Sequence, residues 1–103
     1  MDDSLPIQVT ESLRVLGENI LIARKRRKMT KKDLAERMFV SIPTLNRLEK
    51  GDPNVGIKIL ASALWCLGLH HQIAFVASPD SDEIGKSLEL NRLKTSKKLD
   101  NDF

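Results

Sequence analysis

Two helix-start signals stand unusually close together, and they limit the folds open to this chain more than any other feature. Thr30 lies three residues before Asp33, so its hydroxyl can accept from the N–H at 33 while the Asp33 carboxylate, in place of the usual Glu, reaches back. Ser41 is a second capping residue, and Pro43 falls in the first turn after it, where a missing backbone N–H costs nothing. Leu34, Ala35 and Met38 give the first segment an apolar stripe, Leu45 and Leu48 do so in the second, and Gly51 suits a left-handed helix end. The spacing predicts helices over Lys31–Met38 and Ile42–Glu49 joined by a tight turn. Isolated helices shorter than about 12 residues are marginal in water, so both must pack on neighbours.

Those neighbours are visible on either side. Leu13, Leu16, Ile20 and Ala23 recur at helical spacing between Val9 and about Arg27, and the basic end of this segment complements a helix dipole. After Asp52-Pro53-Asn54, Ile57, Leu60, Ala61, Leu64 and Trp65 fit a fourth helix closed by Gly68, and Leu64, Trp65, Leu67 and Leu69 are assigned to the core. His71–Ala77 is apolar and short; periodicity does not separate a helix from a strand there, and helix is favoured. Ser81 is the expected cap of a last helix carrying Ile84, Leu88 and Leu93, weakened by Gly85, while Thr95–Phe103 is polar and expected to be disordered. The fold class is all-α: a compact four- to five-helix domain over residues 9–69, with a flexible 1–8, a dimerisation or partner-binding extension of uncertain structure over 70–93, and a tail over 94–103.

With 103 residues, 41% of them hydrophobic and 30% charged, the chain has the composition of one globular domain, and a domain this small gains from oligomerisation. The single Cys66 forms no internal disulfide, Asp2 and Asp3 do not resemble a secretory leader, and Ala63–Leu69 is too short to span a membrane, so a cytoplasmic location is expected. Cys66 and His70 are four residues apart with Gly68 between them and only His71 nearby, which makes no metal site. There is no phosphate-cradling Gly loop and no nucleophile and base sharing a cleft, so neither cofactor nor catalysis is expected. The net charge of +3 is modest, yet Arg24, Lys25, Arg26, Arg27, Lys28, Lys31 and Lys32 are concentrated in one stretch, whereas Asp80–Glu83 is acidic. Ile73, Phe75 and Val76 fall outside the four-helix unit, which marks them as a dimer or partner surface.

A short helix, a tight turn and a second short helix with polar groups on its open face form the helix-turn-helix arrangement, whose second helix fits the major groove. Thr30-Lys31-Lys32-Asp33-Leu34-Ala35, Val40-Ser41, Thr44-Leu45 and Arg47-Leu48-Glu49-Lys50-Gly51 resemble the Cro and phage-repressor type of this motif, often called Xre-like. The resemblance implies double-stranded DNA as partner, with Ile42, Pro43, Asn46 and Arg47 facing the groove and Lys31, Ser41, Thr44 and Lys50 near the sugar-phosphate backbone. It also implies a structural ion pair between Arg24 and Glu49. Two positions depart from the pattern. Phe39 stands where the family usually has Gly, and Ile42-Pro43 replaces long polar side chains at the start of the reading helix.

The stretch from Gly51-Asp52-Pro53-Asn54-Val55 through Ala63-Leu64-Trp65-Cys66-Leu67-Gly68-Leu69, with Ser78-Pro79-Asp80 and Ile84–Leu90, is similar to HipB-type antitoxins. That similarity implies a homodimer that binds an inverted-repeat operator, represses its own operon and captures a HipA-type kinase toxin. A free-standing Xre-like regulator, and an interaction adaptor that has lost DNA binding, are the other readings of the same residues.

Overall fold

The computed structural model describes residues 4–101, and every regular element among them is helical. The elements are α1 (Ile7–Arg26), α2 (Lys31–Met38), α3 (Ile42–Glu49), α4 (Ile57–Cys66), a 3-10 helix (His70–Phe75) and α5 (Glu83–Asn101). The backbone divides into two units, the first ending at His71 and the second beginning at Gln72. Part of the N-terminal segment expected to be flexible, residues 1–3, lies outside the described residues; α1 starts at Ile7, two residues earlier than periodicity suggests, because the Pro6 carbonyl accepts from Val9 and Thr10.

In the first unit, α1 packs on α3 while α2 packs on both α3 and α4. Leu34 of α2 and Leu45 of α3 sit fully enclosed at the centre, surrounded by Ile20, Ala23, Met38, Leu48, Ala63, Leu64 and Leu67. Burial of the leucine, isoleucine and methionine side chains among them, each contributing about 1.5–3 kcal/mol, is what holds the two eight-residue helices in place.

All four helices of this unit stop in the same way. At each end one residue turns left-handed, its own N–H bonds back three residues and the next N–H bonds back five, which satisfies carbonyls that would otherwise be orphaned. Gly51 and Gly68 fill this position after α3 and α4, but Lys28 fills it after α1 and Phe39 after α2. Phe39 therefore does adopt the angle that Gly would supply, with φ 58° and ψ 42°, at a cost on the order of 1 kcal/mol. Its ring is 95% exposed and recovers none of that cost within the domain.

The α1–α3 crossing is close enough to exclude side chains. A Cβ added at Gly17 would meet the Glu49 carbonyl oxygen and the Gly51 nitrogen at 2.6 Å, and one at Gly51 would meet the Leu13 carbonyl oxygen at 2.3 Å. Backbone thus rests on backbone where the end of α3 lies against α1.

Trp65 is not a core residue. It is 68% exposed, and Ile57 is also exposed, because the buried stripe of α4 runs through Ala63, Leu64 and Leu67 instead. An almost uniformly apolar helix offers several faces of similar hydropathy, and packing against α2 selects one of them.

The extension of uncertain structure is a 3-10 helix with no buried residue, which begins in the last residues of the first unit, followed by α5 in the second. Asp82, not Ser81, caps α5: its carboxylate accepts from the Gly85 N–H at 2.9 Å, while the Ser81 hydroxyl donates to the Ser78 carbonyl. The helix continues to Asn101 through part of the tail read as disordered, since extending an existing helix adds one hydrogen bond per residue without a new nucleation cost; residues 102–103 lie outside the described residues.

Gly17→Ala is expected to lower unfolding free energy by about 1–3 kcal/mol, measured by urea denaturation, because backbone atoms cannot yield as a flexible side chain would. Unchanged stability would show that the α1–α3 crossing is looser than described.

Candidate nucleic-acid interface

The second half of the basic cluster leads directly into the N-terminus of α2, and the N-terminus of α3 follows after one short helix and a turn. Thr30 accepts from the Asp33 N–H at 3.0 Å, and the Asp33 carboxylate accepts from the Thr30 N–H at 2.9 Å, completing the capping box of α2. The Thr30 backbone bond, followed by its hydroxyl, holds the Asp33 carboxyl below its usual pKa, so the carboxylate's half of the capping box weakens only as pH falls through that lowered value. Ser41 caps α3 by accepting from the Thr44 N–H at 3.3 Å, and the two hydroxyls are 3.0 Å apart.

The buried side of α3 is Leu45, Leu48 and Glu49, which leaves a continuous open side. Pro43, Arg47 and Lys50 are exposed on it, Asn46 and Thr44 are half-buried along its margins, and Ile42, 42% exposed, stands at the first turn. Ser41 and Lys31 are exposed at the two helix starts. The structure thus brings the expected groove and backbone residues onto one surface, with Lys50 at its far end. The Arg47 guanidinium donates to the Thr44 hydroxyl at 3.4 Å, a long contact that leaves most of its donors free.

One link across this surface was not legible in the sequence. The Lys31 ammonium at the start of α2 donates to the side-chain amide oxygen of Asn46, Oδ1, at 2.7 Å. With that oxygen engaged, the Asn46 amide presents its NH2 group outward as a donor. The pair is fifteen residues apart, so only the α2–α3 crossing brings it together.

Arg24 does not contribute to the open positive surface. Its Nε donates to Glu49 Oε2 at 2.7 Å, Nη2 donates to Oε1 at 3.1 Å, and Nη1 donates to the Met29 carbonyl at 3.0 Å. Both side chains are almost completely buried, at 6% and 2% exposure. This two-pronged contact fastens α3 to α1 and to the loop after it. Lys25, Arg26, Lys28, Lys31 and Lys32 remain exposed and supply the field.

Ile73, Phe75 and Val76 are all exposed on the 3-10 helix and just beyond it. Cys66 is half-buried, and burial pushes its thiol pKa up, while the His70 and His71 rings meet edge to face at 6.1 Å. Among the described residues no group of three His, Cys, Asp or Glu is placed to hold a metal ion, and no helix is long and apolar enough to cross a membrane.

Comparison with protein families matches residues 20–69 to the helix-turn-helix family, from the second half of α1 to the end of α4. Residues 20–69, just under half of the chain, are thus similar to a helix-turn-helix domain. That match supports a DNA-binding transcription regulator. No curated protein and no solved structure matches the chain.

Glu49→Ala should cost about 3–5 kcal/mol in urea denaturation, because it leaves Arg24 buried without a counter-charge. Replacing both partners together with Met and Leu should cost far less. A single substitution no worse than the double would show that the pair does not hold α3 in place.

Proposed function

We propose that the chain is a homodimeric, sequence-specific transcriptional repressor, and that it acts as the HipB-like antitoxin of an operon it regulates itself. The observation that carries the DNA-binding part is the shared surface of two capped helix N-termini, with Lys31, Ser41, Thr44, Asn46, Arg47 and Lys50 around it. Helix N-termini favour phosphate oxygens, and α3 between them has the width of a major groove.

The residues divide by chemistry. Lys31, Ser41, Thr44 and Lys50 contact the backbone and set register, while Arg47 and Asn46 reach base edges. Arg47 can bond guanine O6 and N7 together; Asn46, its oxygen held by Lys31, donates to a purine N7 or a thymine O4. Ile42 and Pro43 have no side-chain donors and contact thymine methyl groups. A reading helix with so few polar groups draws part of its specificity from DNA shape.

A dimer presenting two such helices about 34 Å apart reads an inverted repeat with half-sites one helical turn apart. The exposed Ile73, Phe75 and Val76 and the extension through α5 supply surface for self-association and for a HipA-type kinase toxin. The similarity of residues 51–69 and 78–90 to HipB-type antitoxins supports this narrower reading, and a kinase-like reading frame beside the gene is its direct check. A chain of this kind binds and does not catalyse; it works in the cytoplasm, where its operator is.

If each protomer neutralises about four phosphates, log affinity should fall with a slope near −7 against log salt concentration. Arg47→Ala should weaken operator binding by about 1–3 kcal/mol while affecting random DNA less. Binding insensitive to salt contradicts the proposed interface, and equal losses on both DNAs reassign Arg47 to a phosphate.

A further inference from the structure

The face of the first unit formed by the end of α2 and the outer side of α4 is apolar, basic at its rim and uncovered. Arg37, Phe39, Lys58, Ala61, Trp65 and Cys66 line a shallow groove of about 380 Å3 there. Its two aromatic rings are among the most exposed large apolar side chains of the chain. Phe39 in addition holds a left-handed backbone angle that Gly would adopt freely, so its side chain gains nothing from the fold to offset that conformation. Both charged residues at the groove are positive, and pairing the face with itself would bring like charges together.

The complementary surface occurs in this same sequence. The first turns of α5 expose Ile84 and Leu88 one helical turn apart, with Glu83 and Glu89 flanking that stripe on either side. Beside Leu88, a shallow depression of about 360 Å3 runs over Gly85, Leu88, Glu89 and Arg92, while the Asp82 carboxylate fills the space that a Cβ at Gly85 would take. Lys86, the nearby positive group, is turned to the opposite side and engages Glu83 and the Asp80 carbonyl. Protruding aromatic rings, an exposed apolar stripe one helical turn long, and opposite charges at the two rims are complementary in chemistry and sign.

We infer that the Phe39–Trp65 face binds the first turns of α5 from a second copy of this chain, in a reciprocal exchange that forms the dimer. Phe39 and Trp65 pack against the Ile84 and Leu88 stripe, and Arg37 and Lys58 pair with Glu83 and Glu89. A two-fold exchange uses the contact twice, as an isologous dimer requires, and so doubles the area one face could bury alone. The inference rests on the homodimer proposed above and names its interface.

Trp65 is the chain's single tryptophan, so its fluorescence reports on this face directly. As protein concentration rises, the emission should move to shorter wavelength in step with dimer formation measured by analytical ultracentrifugation. R37E/K58E and E83K/E89K should each weaken self-association at least tenfold, and an equimolar mixture of the two should restore it, since each mutated groove or helix then meets its complement. All four positions are exposed, and unchanged far-UV circular dichroism verifies that the variants fold. Dimerisation that leaves the emission unchanged, or that ignores both double variants, overturns this interface while leaving the dimer standing. Blue-shifted emission at every concentration means the groove is filled within one copy and also overturns it. A chain that is monomeric throughout overturns the interface and the dimeric repressor together.

Discussion

The contact of Arg24 with Glu49 joins parts of the domain that local sequence cannot hold together. Glu49 is the last residue of α3, and Arg24 lies in the last turn of α1, so their two-pronged bond fixes the orientation of an eight-residue helix that has little stability of its own. The third donor of Arg24 secures the Met29 carbonyl, and thereby the loop that delivers the chain to Thr30 and the start of α2. Gly17 and Gly51 allow the same approach from the backbone side. One buried guanidinium therefore sets the positions of both helix N-termini on which the proposed DNA surface depends.

That surface is built at low cost from local chemistry. Thr30 and Ser41 each satisfy a backbone N–H by capping, and the exposed Lys31 and Lys32 stand in the first turn of α2. The left-handed ends of α1 and α2 then let the chain reverse within a few residues, so that the basic stretch, α2 and α3 follow one another with almost no loop. At Phe39 this reversal uses a residue poorly suited to the angle. The same substitution places an aromatic ring outside the domain, next to Trp65 and away from α2's capped end.

Much of this was legible because helix ends are encoded locally. The bounds of α2 and α3 follow from Thr30, Asp33, Ser41, Pro43 and Gly51, residues whose side chains or backbone freedom act within a few positions. Trp65 was misplaced for the opposite reason: α4 is apolar nearly all round, so only its contact with α2 decides which side is buried. Gly17 carries a weak signal, a glycine inside an otherwise helical stripe, whose meaning depends on α3 passing over it. The Lys31–Asn46 bond had no local signal at all. In the second unit, Ser81 and Asp82 are both capping residues, and adjacency left the choice to the geometry of the turn.

The central claim is that the side of α3 opposite Leu45 and Leu48 enters DNA while the caps of α2 and α3 meet phosphates. Amide chemical-shift changes on titrating the isotopically labelled protein with duplex DNA test it most directly. The largest changes are predicted at residues 30–33 and 41–47, with the Asn46 side-chain NH2 among them. Changes centred on the Phe39–Trp65 face or on α5, with α3 silent, would contradict it.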